Sequence, residues 1–247
     1  SDCAPIAITP SPGSEQSAMI DYRIISIDCL NANPLWGERA PVRTGHATTV
    51  LIKSGDRRIL VDPGLPTPAL EARLHERTGL RPGAITDVFL TSFHPDARRG
   101  IRLFDHASWW IGETEREAVG VPLASQLARL AEEPHTDPTV RTMLEQDVAV
   151  LQKCMAAPDT LAERVSLFPL PGATPGLCGL LLEHARYTVL LTGDAVPTLE
   201  HLERGMVIDH AFDIAKAKES FAEVMEIADL IIPGRDNIAP NPTRRAF

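Results

Sequence analysis

Apolar residues fall in short runs along the first third of the chain, and their spacing separates strands from helices. Ile24, Ile25 and Ile27 mark a strand over residues 22–30, and a Pro- and Gly-containing loop follows over 31–43. Residues 48–54 and 57–62 read as two strands joined at Gly55-Asp56, a hairpin turn signal. Thr67 is expected to cap a helix with Pro68 in its first turn, running to about Thr78 and stopping at Gly79. Residues 85–91 form an apolar run of the buried-strand kind, a polar loop covers 92–100, and 107–111 is a further short strand.

The texture then changes. From Glu113 to about Cys154 the chain is helix-forming, with breaks expected near Pro122 and at 134–138, and with Leu144, Val148 and Leu151 on one apolar face. Strands return at 164–169, 179–183 and 187–192. Phe221, Val224, Met225 and Ala228 then give a helical stripe before a last strand at 230–232. This order predicts an α/β fold, an αββα sandwich of two mixed sheets with outer helices. Residues 19–247 read as one domain with a helical insertion over about 113–158, preceded by a flexible Pro-, Ser- and Ala-rich segment over 1–18.

Composition narrows the function classes. The net charge of -9 argues against a general nucleic-acid partner, because phosphate binding needs a basic surface. No apolar stretch is long enough to predict a membrane span. The four cysteines, Cys3, Cys29, Cys154 and Cys178, form no C-x-x-C pair. They read as buried or free thiols in a reducing compartment, which makes the cytoplasm the expected location, although a disulfide between two of them stays open.

The chemistry is expected at the strand ends. Four loops stand there: Asp62-Pro63-Gly64, residues 91–100, Thr192-Gly193-Asp194 and Pro233-Gly234-Arg235-Asp236. A fifth, Pro171-Gly172-Ala173-Thr174-Pro175-Gly176, lies between two strands. In type and order this set resembles the metallo-β-lactamase superfamily, whose loops read Asp-x-Gly, T-H-x-H-x-D-H, P-G-H-T-x-G, G-D and a late P-G-H. The resemblance covers about residues 22–237 and implies the sandwich fold. For a complete site it also implies two metal ions held by imidazoles and carboxylates, which generate hydroxide for hydrolysis.

The departures from that pattern bear on function. In Thr91-Ser92-Phe93-His94-Pro95-Asp96-Ala97, the first ligand His is replaced by Ser92 and the last by Ala97. Ala173 and Arg235 stand where two further His ligands would be, so only His94, Asp96 and Asp194 keep a ligating side chain. Zinc favours about four ligands, imidazole among them, and neither Ala position offers an atom. Arg235 is expected to fork onto Asp96 and Asp194, placing a fixed cation where a metal's charge would otherwise lie.

Each candidate also has a plainer role. His94 is a relic held by hydrogen bonds, or a metal ligand or general base. Asp96 is a loop-structuring residue or a catalytic one. Asp62 caps a turn or, as the resemblance implies, supports the metal-binding loop. Arg98 and Arg99 are a solvated pair, or they form an anion pocket with Arg235. His46, or His210 with Asp213, enters the cleft as a substitute ligand, or is an ordinary surface or capping residue. His106, His135 and His201 have no placed partner. Trp109 and Trp110 are expected to split between the core and the layer below the insertion. Ser92 with His94 lacks the G-x-S-x-G elbow of a serine hydrolase.

The leading expectation is a family member without the dinuclear chemistry and without a cofactor. It would bind a small, anionic molecule or act as an interaction domain, with the insertion as a lid or a surface for a second copy. The alternative is a lactone, thioester or phosphoester hydrolase using one zinc or other divalent metal at His94, Asp96 and Asp194. A third reading is a structural subunit whose cleft is filled by its own side chains.

Overall fold

The computed structural model describes residues 20–132 and 137–244; the expectations for 1–18, Cys3 and His135 lie outside them. The first half contains β1 (Asp21–Ser26), β2 (Thr49–Ser54), β3 (Arg57–Val61), α1 (Thr67–Thr78), β4 (Asp87–Leu90), α2 (Pro95–Arg98) and β5 (Ser108–Ile111). Two long helices, α3 (Glu113–Glu132) and α4 (Pro138–Lys153), are followed by β6 (Met155–Ala156), β7 (Thr160–Ala162) and β8 (Val165–Pro169). The chain continues with β9 (Cys178–Glu183), β10 (Thr188–Gly193), α5 (Leu199–Arg204), α6 (Ile214–Ile227), β11 (Leu230–Pro233) and β12 (Ala239–Pro240).

The strands form two mixed sheets, one in the order β1-β2-β3-β4-β5-β6 and the other β12-β11-β10-β9-β8-β7. Strand periodicity explains how they stack. Val50, Ile52, Ile59, Val61 and Phe89 of the first sheet share one buried cluster with Leu180, Leu182, Val189 and Leu191 of the second. The alternate residues Leu51, Leu60, Val88 and Leu90 pack outward against Leu70 and Leu74 of α1. Leu190 and Ile231 pack outward against Val224 of α6 and Leu202, which closes the αββα sandwich. Strands buried on both faces need no polar alternation, and this is why Val88, Phe89 and Leu90 follow one another without a polar break in β4.

Several elements differ from the sequence reading. The first strand ends at Ser26, and β6, β7 and β12 are short additions that carry little pattern. Residues 92–100 are not wholly loop, because Pro95 opens a single-turn helix. At α1, Pro66 holds the N-cap position without a side-chain bond, so Thr67 is the first helical residue; Gly79 ends the helix in the left-handed region as expected. The helix α3 runs unbroken through Pro122. The carbonyl that the Pro122 ring leaves without a helical partner is that of half-buried Ala118, and Pro122 itself lies on an exposed flank of the helix.

Trp109 is buried in the cluster that includes Val150 and Leu151 of the insertion, while half-buried Trp110 packs against the cluster between the sheets. Cys29, Cys154 and Cys178 are all free thiols. No helix among the described residues is long and apolar enough to cross a membrane.

Candidate functional site

The ends of β4, β10 and β11 bring Asp96, Asp194 and Arg235 together, although Asp96 and Arg235 are separated by 139 positions in sequence. Arg235 donates from Nε to Asp194 Oδ1 at 3.0 Å and from Nη2 to Asp194 Oδ2 at 3.0 Å. Its Nη1 donates to Asp96 Oδ2 at 2.7 Å. The other Asp96 oxygen accepts from Arg99 Nη2 at 3.1 Å. The Arg235 side chain is 6% exposed and that of Asp96 7%, so these charges are removed from water and depend on one another.

The electrostatics agree with the geometry. Burial acts to raise the Asp194 pKa, but the charge and hydrogen bonds of Arg235 outweigh it and hold the carboxyl below its usual range. Burial acts to lower the Arg235 pKa, and Asp194 and Asp96 more than reverse that, so the guanidinium is charged at every accessible pH.

Two glycines permit the approach. Gly193 takes φ +51, and a Cβ there would lie 2.8 Å from Thr91 Oγ1. A Cβ on Gly234 would meet the Gly193 carbonyl carbon at 2.5 Å and Asp194 Oδ1 at 2.8 Å.

His94 caps α2. Its Nδ1 accepts from the Asp96 backbone N–H at 3.2 Å, which places the proton of the neutral ring on Nε2. It is the Asp96 backbone that holds the ring; the Asp96 carboxylate lies 3.7 Å from Nδ1. Burial, then the charge of Arg235, lowers the His94 pKa. Asp62, at φ 48, accepts from the Thr91 backbone N–H at 2.9 Å and pairs with its hydroxyl at 2.7 Å, so it holds the entrance to the His94 loop. Burial pushes the Asp62 pKa up to about 7.

His94, Asp96, Ala173, Asp194, His210 and Arg235 line one cleft of about 550 Å³, together with residues 30–32, 34 and 38–41. Ser92 and Ala97 are buried and do not line it. Ser92 is only a distant acceptor for the His94 N–H at 3.4 Å, so Ser92 and His94 do not face a common cleft.

Of the two substitute histidines, His210 reaches the cleft, paired with Asp209 at 2.9 Å. His46 does not; it is held by Asp28 and the Ala47 carbonyl. Asp213 accepts from Lys216 N as the N-cap of α6. His201 and His106 gain partners in Thr198 and the Ile85 carbonyl.

Arg98 neither joins Arg235 nor stands in solvent. Its guanidinium lies 4.1 Å over the Phe93 ring and bonds Asp147 of α4 at 2.8 Å. With Arg99 on Asp96, the three arginines do not converge on one anion pocket. Among the described residues, no group of three or more His, Cys, Asp and Glu side chains is arranged to hold a metal ion.

Sequence reasoning missed Glu115. This residue of the first turn of α3 is 2% exposed. Its Oε1 accepts from the Phe93 N–H at 3.0 Å, and its Oε2 from Thr174 Oγ1 at 2.7 Å and the Gly176 N–H at 3.0 Å. Two of those donors are backbone groups, which leave no mark in a sequence.

A family model described as the metallo-beta-lactamase superfamily matches residues 42–233. Among solved structures, a Thermotoga maritima protein described as a metallo-beta-lactamase is 21% identical, over 90% of this chain and 99% of its own, with a TM-score of 0.64. AidC, described as a dizinc quorum-quenching lactonase, is 19% identical over 85% of this chain and 80% of its own, with a TM-score of 0.59. The hydrolase AbOPH is 15% identical over 95% and 97%, with a TM-score of 0.63. At these identities the likeness establishes the fold. A search of curated proteins found no match.

Proposed function

We propose that this chain, which belongs to the metallo-beta-lactamase superfamily, works without two-metal hydrolytic chemistry, as a small-molecule-binding or interaction domain. The observation that carries this reading is the single guanidinium of Arg235 bonded to both Asp96 and Asp194. A bound metal pair supplies positive charge to such carboxylates; here a side chain supplies it. A metal pair does not fit this donor set. Arg235 already takes both oxygens of Asp194 and one of Asp96, Arg99 takes the other, and Ala97 and Ala173 offer no ligating atom.

The cleft remains open beside this triad, and His94, whose Nδ1 is taken by the Asp96 N–H, lines it. A small molecule entering would meet Arg39 and Arg235 but not Arg98; Glu38, Asp96, Asp194 and Asp209 line the same cleft and Arg235 is already bonded to two of them, so an anionic group would have to bind at Arg39. Association of two copies through the α3–α4 hairpin belongs to the same proposal; Val121, Val140 and Met143 stand exposed there.

The alternative is a hydrolase of the superfamily's metal-dependent kind, with one zinc or other divalent metal on His94, Asp96 and Asp194. The presence of His210 in the same cleft favours it. An assay of lactone, thioester and phosphoester substrates, with and without added zinc, separates the two. The binding-domain reading expects no turnover above buffer. Zinc-dependent turnover abolished by His94→Ala and by Asp194→Asn would establish the hydrolase.

A further inference from the structure

The loop that carries His94 and Asp96 is gripped from outside the cleft at both ends of one residue, Phe93. Its N–H donates to Glu115 of α3. Its carbonyl accepts from Arg98 Nε at 2.9 Å, and the same guanidinium bonds Asp147 of α4 at 2.8 Å. The Arg98 side chain is 10% exposed, so it spans from loop to hairpin largely out of water. Glu115 also binds Thr174 and Gly176 of the loop that bears Ala173. That second loop presses directly on the first turn of α3, where a Cβ on Gly176 would lie 2.1 Å from the Glu115 backbone nitrogen. Both α3 and α4 are therefore bonded to the cleft loops; Glu115 and Arg98 are buried well enough that a partner lost there leaves an unsatisfied polar atom, while Asp147 keeps access to water.

We propose that Glu115 is a positioning residue which, together with the Arg98–Asp147 ion pair, couples the α3–α4 hairpin to the cleft, so that a shift of the hairpin is transmitted to the His94–Asp96 loop. Packed interfaces bonded at fixed points move as units, and the coupling runs equally in both directions. It does not depend on what the cleft holds, so it can fail while the binding-domain reading stands, and the reverse.

The test uses the full chain and solution NMR. Asp147→Asn, on α4, is expected to shift the Phe93 amide and the His94 ring resonances while leaving those of α1 in place. Glu115→Gln is expected to speed hydrogen exchange at the Phe93 and Gly176 amides by about tenfold or more, with the Leu190 amide in β10 unchanged. A purely local role would confine the Asp147→Asn changes to α4, and that result overturns the proposal. Should Glu115→Gln not fold, Thr174→Val removes one donor and keeps the other two. The Gly176 and Phe93 amides are then expected to shift together, and a change at Gly176 alone overturns the coupling.

Discussion

The cleft triad and the α3–α4 hairpin solve opposite problems. Around Arg235, charges are buried and every one is answered by another: the guanidinium spans two carboxylates and Arg99 takes the remaining Asp96 oxygen. On the hairpin, apolar side chains are left uncovered. Val121 is 71% exposed and Met143 63%, while the inner face of the pair, at Val150 and Leu151, is buried. One region is closed electrostatically, the other open hydrophobically. Loss of a side chain should therefore matter most where the partners have no alternative in water, and least where water is already present.

Arg235→Met tests this contrast most severely. It leaves Asp194 without its cation and Asp96 with Arg99 alone, and urea unfolding is expected to show a loss of about 3–5 kcal/mol. Adding Asp96→Asn and Asp194→Asn to that variant removes the orphaned charges and is expected to restore most of the loss. A triple variant no more stable than the single would mean that Arg235 acts through packing instead.

The next effect is on pH dependence. The folded pKa of Asp194 is depressed, so its contribution is present above the unfolded carboxylate value and is lost as the pH falls through the folded one. Asp62 has the opposite sign. With a folded pKa of about 7, the native state holds a proton that the unfolded state has already released, so stability falls as pH rises from the ordinary carboxylate range toward 7. Asp62→Asn mimics the protonated form and should flatten that limb of a stability–pH curve while leaving the acid limb intact. An unchanged neutral limb would place its origin elsewhere.

The smallest effect belongs to the hairpin. Met143→Glu and Val140→Lys are expected to alter stability by no more than about 0.5 kcal/mol. If copies associate there, sedimentation should show weaker self-association in these variants; an unaltered profile would remove the hairpin as a contact surface.

What was legible in the sequence follows the same division. Arg235, Asp96 and Asp194 could be read together because each closes a recognisable strand-end loop, and charge complementarity then fixed who bonds whom. The hairpin was legible as a change of texture, but not its continuity through Pro122, because exposure of that flank lies outside local propensity. Arg98 was misread because its partner, Asp147, lies 49 positions away on a helix whose packing no motif records. Glu115 looked like one of several surface acids at a helix start, and only the fold shows that the Phe93 and Gly176 amides and the Thr174 hydroxyl converge on it.

The central claim is that a guanidinium stands in for a bound metal. Metal content of the purified, untagged protein, measured by mass spectrometry before and after exposure to a chelator and followed by thermal unfolding, tests it most directly. The account predicts metal far below one ion per chain and an unfolding temperature that the chelator does not change. A full equivalent of zinc or iron, lost to the chelator with a fall in unfolding temperature, would contradict it.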